Sequence, residues 1–117
     1  MILGIGVDIV SNNRFEGKGK GFLEKLFLPS EIEKGFSAPS ESEYFASRFA
    51  SKEAVAKAFG TGFRGLSPLD IEVCEDGLGK PYVKIHKEID LSLSIHLSIS
   101  HERDSSIAMV VIEDGKK

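Results

Sequence analysis

Cysteine occurs once in the 117 residues, at Cys74 within an apolar run, so no internal disulfide can form. A chain without cross-links fits a reducing, cytoplasmic setting. No run approaches the ~20 apolar residues needed to cross a bilayer, so no membrane role is expected. The opening segment, residues 1–8, has no basic region ahead of its short apolar run and reads as a strand, not a secretion signal. Basic charge is not in excess either. A net charge of −3 argues against nucleic-acid binding, whose affinity rests on neutralising phosphates. Any anionic ligand must then be met by a local cluster of side chains. There is no GxxxxGKS loop to cradle phosphates, and no internal repeat. What is present is ordinary for a globular protein: 41% of residues are hydrophobic and 28% charged. The length suits one domain spanning residues 1–117.

Periodicity gives an outline. Residues 2–10 are rich in Ile and Val and predict a strand, with Gly4, Gly6, Asp8 and Val10 on one face and Ile5, Val7 and Ile9 on the other. Residues 12–21 read as a mobile basic loop, and residues 22–27 as a short helix with Phe22 on its core side. Ser30-x-x-Glu33 after Pro29 has the form of a capping box, with Gly35 closing that helix. Ser40-x-x-Glu43 opens a longer helix over 41–59, stopped by Gly60 and Gly62. Its alanines at 46, 50, 54 and 58 form a smooth ridge, and apolar or small residues cover nearly all its circumference, the mark of a buried helix. Residues 69–74, 82–85, 95–100 and 107–113 read as strands joined by turns. The sum is an α+β fold, an antiparallel sheet wrapped around one long central helix.

Four residues stand out as chemistry. Asp8 interrupts an apolar strand beside two glycines, and a carboxylate inside a sheet must be paired or bind a metal. Glu53 and Lys57 are four apart on the central helix. On a solvated helix that spacing is a surface pair worth ~0.3–0.5 kcal/mol. Here the helix has so little polar face that both groups are expected in a shared cleft. His101 ends a strand where an imidazole can cap a turn or bond a phosphate. Two carboxylates suit Mg²⁺, which completes its shell with water and substrate phosphate oxygens, whereas zinc wants more histidine or cysteine.

These residues also carry a resemblance. Gly4-Ile5-Gly6-Val7-Asp8-Ile9-Val10 resembles the opening motif of the holo-acyl-carrier-protein synthase family, the small bacterial 4′-phosphopantetheinyl transferases. Arg48-Phe49-Ala50-Ser51-Lys52-Glu53-Ala54-Val55-Ala56-Lys57-Ala58-Phe59-Gly60-Thr61-Gly62 is similar to its central signature, the most specific of the matches. Gly79-Lys80-Pro81 and His96-Leu97-Ser98-Ile99-Ser100-His101 resemble two later blocks, all in family order. The chain departs from the family at residues 16–21, rich in Gly and Lys, and in shorter stretches before Ser40 and from His86 to Ser94.

The resemblance implies transfer of 4′-phosphopantetheine from coenzyme A to a serine of apo-acyl carrier protein, with release of adenosine 3′,5′-bisphosphate, in support of fatty acid biosynthesis. It implies a homotrimer with sites at subunit boundaries. Asp8 and Glu53 would ligate Mg²⁺, with Glu53, Lys57 and His101 as catalytic residues and the last two on the pyrophosphate. Arg48, Gly60 and Pro81 would bind the nucleotide half of coenzyme A, and Arg14 the acidic carrier protein. The serine proton has two candidate acceptors, Glu53 and a water. The rival readings are a Mg²⁺-dependent hydrolase of nucleoside diphosphate compounds, with water as nucleophile, and a module that binds coenzyme A or carrier protein without reacting.

Overall fold

The computed structural model describes residues 1–60, 65–88 and 92–115; Gly62, Lys116 and Lys117 lie outside them. The fold is α+β, with a long helix lying across antiparallel strands. Strand β1 (Ile2–Ser11) is the first element. After short helical segments come α3 (Glu41–Ala58), the hairpin β2 (Ile71–Glu75) and β3 (Pro81–Ile85), and finally β4 (Leu93–His101) and β5 (Ser105–Asp114). The strands divide between two sheets. One has the order β1-β5-β4, and the other is the β2-β3 pair. In the first, Asp8 stands opposite Ala108, and Ala108 opposite Ile99.

α3 begins where Ser40 caps it, its hydroxyl accepting the Glu43 N–H at 3.4 Å. Ala46, Ala50, Ala54 and Ala58 are all buried along the line where the helix crosses the sheet. The close approach is set by glycine. A Cβ on Gly6 would fall 2.0 Å from the Ala54 carbonyl oxygen, and one on Gly4 2.0 Å from that of Ala58. With no side chain at either strand position and only methyls on the ridge, helix backbone rests on strand backbone. Phe15, Phe27, Phe45 and Phe49 fill the space beside the helix, with centroids 5.0–5.7 Å apart along the chain of contacts.

The segment after β1 differs from the expectation of a mobile loop. Asn12–Phe15 forms a 3₁₀ turn with Asn12 and Phe15 buried. The Asn12 amide donates to the carbonyls of Glu102 (3.2 Å) and Arg103 (3.1 Å) and accepts from the Ser106 hydroxyl (2.7 Å), so the turn is stitched to the β4–β5 connection. The helix expected over 22–27 is a single turn, α1 (Lys20–Leu23), which leaves Phe22 42% exposed while Phe27 takes the core position. The cap of α2 (Pro29–Phe36) is also not the one the Ser30-x-x-Glu33 pattern suggests. Glu31 reaches back to the Leu28 N–H at 2.8 Å, and the helix continues through Gly35 to Phe36.

Candidate active site

The glycine-mediated contact decides what faces Asp8. With α3 seated on β1, Lys57 Nζ donates to Asp8 Oδ1 at 3.0 Å and to the Val7 carbonyl at 3.1 Å. Glu53, one turn back along the helix, lies close enough to be felt by the same carboxylate. Burial pushes the Glu53 carboxyl above its usual range, the Asp8 charge pushes it further, and Lys57 and Arg14 act against both. Arg14 stands at the edge of this group, its guanidinium 5.2 Å from the centre of the Phe49 ring.

This donor set has the chemistry of a hard-cation site. Among the described residues no three of His, Cys, Asp and Glu gather in one place, so the protein's share would be the two carboxylates. Mg²⁺ takes one or two carboxylates and fills its shell with water and phosphate oxygens, and an ionised Glu53 held near Asp8 is stabilised by such a cation. The residues therefore fit Mg²⁺.

The other residues singled out by sequence lie elsewhere in the chain. His101 sits two strands from β1 and two residues past Ile99, which puts its Cα roughly 12 Å from that of Asp8. It lines a cavity of about 720 Å³ together with Glu43, Tyr44, Ser47, Arg48 and Glu75. His101 Nδ1 lies 3.3 Å from Glu43 Oε2. Arg48 is held on three sides: its guanidinium lies 4.1 Å from the centre of the Tyr44 ring, Nη1 donates to the Ser47 hydroxyl at 3.0 Å, and Nη2 to Glu75 Oε1 at 2.5 Å. Pro81 faces Glu75 across the β2–β3 hairpin. Gly60 follows α3 with φ +81°, the left-handed conformation that ends a helix and favours glycine. The chain thus carries two separate groups, Asp8–Glu53–Lys57 beside β1 and Arg48–His101 beside β4.

Sequence reasoning passed over an ion pair in the interior. Lys52, next to Glu53, is 0% exposed and Glu31 1%. Lys52 Nζ donates to Glu31 Oε1 (2.8 Å) and to the carbonyls of Pro68 (2.9 Å) and Ile71 (2.8 Å), which uses all three of its protons. Glu31 also accepts the Leu28 and Val73 N–H groups. Burial pulls the Lys52 ammonium below its usual range, and Glu31 opposes the pull. The available signal was the absence of a polar face on α3, which leaves a lysine at 52 no route to water. The contacts of Glu43 with His101 and of Glu75 with Arg48 gave no signal, because each joins two elements remote in sequence.

Comparison with known proteins follows the same lines. A family model described as the 4′-phosphopantetheinyl transferase superfamily matches residues 4–110. A holo-[acyl-carrier-protein] synthase of Clostridium perfringens is 46% identical, over 97% of this chain and 95% of its own. The crystal structure of a holo-(acyl-carrier-protein) synthase from Bacillus anthracis in complex with CoA (3′,5′-ADP) superposes with TM-score 0.86 at 39% identity, covering 97% of this chain and 98% of that one. The Helicobacter pylori holo-[acyl-carrier-protein] synthase in complex with coenzyme A gives 0.80 at 37% identity, covering 93% and 99%. The chain belongs to the holo-[acyl-carrier-protein] synthase family of phosphopantetheinyl transferases.

Proposed function

We propose that this enzyme transfers 4′-phosphopantetheine from coenzyme A to a serine of apo-acyl carrier protein, in a Mg²⁺-dependent step that serves fatty acid biosynthesis. The observation that carries the reading is the group on β1 and α3, where Lys57 is bonded to Asp8 beside a Glu53 that feels the Asp8 charge. Mg²⁺ held by Asp8 and Glu53 would neutralise charge on the pyrophosphate oxygens. Attack of the serine oxygen on the β-phosphorus forms the new ester and breaks the bond to the bridging oxygen, which leaves with adenosine 3′,5′-bisphosphate. Such a transfer asks for positioning and charge neutralisation more than covalent help. Lys57 meets the departing phosphate. Glu53 or a water beside it takes the serine proton. Arg48, Gly60 and Pro81 hold the nucleotide half, and His101 contacts the pyrophosphate.

The assembly is a homotrimer with its sites at subunit boundaries. Two facts support this. Arg48 and His101 line a cavity whose lining includes none of Asp8, Glu53 and Lys57 of the same chain. The outer face of the main sheet also presents Leu3, Ile5, Val7 and Ile9 of β1 next to Ile107 and Met109 of β5, with Ile5 64% exposed, an apolar strip that a soluble monomer rarely leaves open. Arg14, with Lys18 and Lys20 nearby in sequence, offers local positive charge to an acidic carrier on a chain of net charge −3. No helix among the described residues is long and apolar enough to cross a membrane, and a cytoplasmic location suits the proposed substrates.

The test is intact-mass measurement of an apo-acyl carrier protein after incubation with coenzyme A and Mg²⁺, with and without chelator. One phosphopantetheinyl group should be gained, and only when metal is present. Nucleotide release that is equal with and without carrier protein would instead favour hydrolysis and end this reading.

A further inference from the structure

We propose that Glu75, outside every motif named above, is a positioning residue that sets Arg48 to receive the nucleotide half of coenzyme A. The inference rests on the reading that Arg48 meets that ligand. Arg48 stands on α3, whereas Pro81 stands on β3, in a separate two-stranded sheet. Nothing in α3 itself fixes how the two present themselves to one molecule. Glu75 links them: its backbone faces Pro81 across the hairpin, and its carboxylate holds Arg48 Nη2 at 2.5 Å.

The remaining contacts of Arg48 are insufficient for this. The Tyr44 ring below the guanidinium sets its plane but leaves rotation within that plane free. Ser47, one residue away on the same helix, holds only Nη1. Nε is buried without a hydrogen-bond partner and so restrains nothing. The Glu75 contact adds a second restraint within that plane, and it comes from β2, the strand paired with the β3 that carries Pro81. Guanidinium groups bind anions through a directional fork, so that orientation bears on affinity.

Glu75 also brings a negative charge near an anionic ligand. Its side chain is 36% exposed, so water screens that repulsion. Positioning outweighs repulsion, and removing Glu75 should weaken the ligand.

The experiment is a double-mutant cycle on the full-length enzyme with adenosine 3′,5′-bisphosphate as the probe, read by calorimetric Kd, with the KM and kcat for coenzyme A alongside. Glu75→Ala should raise Kd severalfold through the lost preorganisation of Arg48, and raise KM with little change in kcat. Glu75→Gln keeps the shape and one acceptor, so it should lose less. In an Arg48→Ala background the Glu75→Ala penalty should vanish, which a general structural weakening would not produce. An unchanged or tighter Kd in Glu75→Ala, or a penalty that persists without Arg48, overturns the proposal. An Arg48→Ala variant that binds as well as the parent would reject the role of Arg48 itself, a separate failure.

Discussion

Mixing two inactive variants tests whether the catalytic groups come from different subunits. Asp8→Asn disables the group beside β1, and His101→Ala the group beside β4. In one protomer their Cα atoms are roughly 12 Å apart, with β5 between them. If each site takes Asp8 from one subunit and His101 from its neighbour, a mixed trimer contains sites in which both are native. At equal proportions each requirement is met with probability one half, so about one quarter of sites should recover. The recovered fraction should follow the product of the two variant fractions and fall away on either side of equal mixing. Each variant is purified, and the two are co-refolded or co-expressed. Native mass spectrometry verifies that hetero-trimers have formed, and transfer to apo carrier protein is read by intact mass. No recovery in demonstrably mixed trimers would refute the composite site, since no chain in the mixture carries both native residues.

Four further outcomes follow from named contacts. Gly6→Ala places a methyl against the Ala54 carbonyl and should cost about 1–3 kcal/mol in thermal denaturation, with loss of transfer as Glu53 and Lys57 move away from Asp8. Glu53→Gln should abolish transfer yet raise the melting temperature of the metal-free protein at neutral pH. The sign comes from Glu53's raised carboxyl: ionisation is easier in the unfolded chain, so stability is lost as pH rises through the acid range, and glutamine removes that loss. Lys52→Met should destabilise by about 3–5 kcal/mol in denaturant unfolding, because it removes the cation that partners the buried Glu31 carboxyl. Val7→Asp, on the exposed apolar strip, should give monomers by light scattering and no transfer.

Local pattern carried much of the fold. The Ser40 cap located the start of α3, and the glycine stop its C-terminal end to within a residue, since both signals depend on near neighbours in sequence. The alternation around Asp8 gave β1 its two faces for the same reason. The segment 12–27 was illegible because its order comes from afar: Asn12 is held by carbonyls about ninety positions away, a distance no periodicity reports. Ser30 and Glu33 had the right spacing for a cap but lost to Glu31, which serves Leu28, Val73 and Lys52 together.

By itself, then, the sequence determined that two glycines on a strand and a methyl-lined helix can meet backbone to backbone, and that a carboxylate on one and a Glu/Lys pair on the other belong to that meeting. Spacing along a chain encodes which face a residue occupies. It does not encode which faces come together. Only the tertiary structure decided that Lys57 reaches Asp8, that Lys52 turns inward to Glu31, and that Arg48 and His101 open onto a different cavity, because those outcomes depend on contacts between elements remote in sequence.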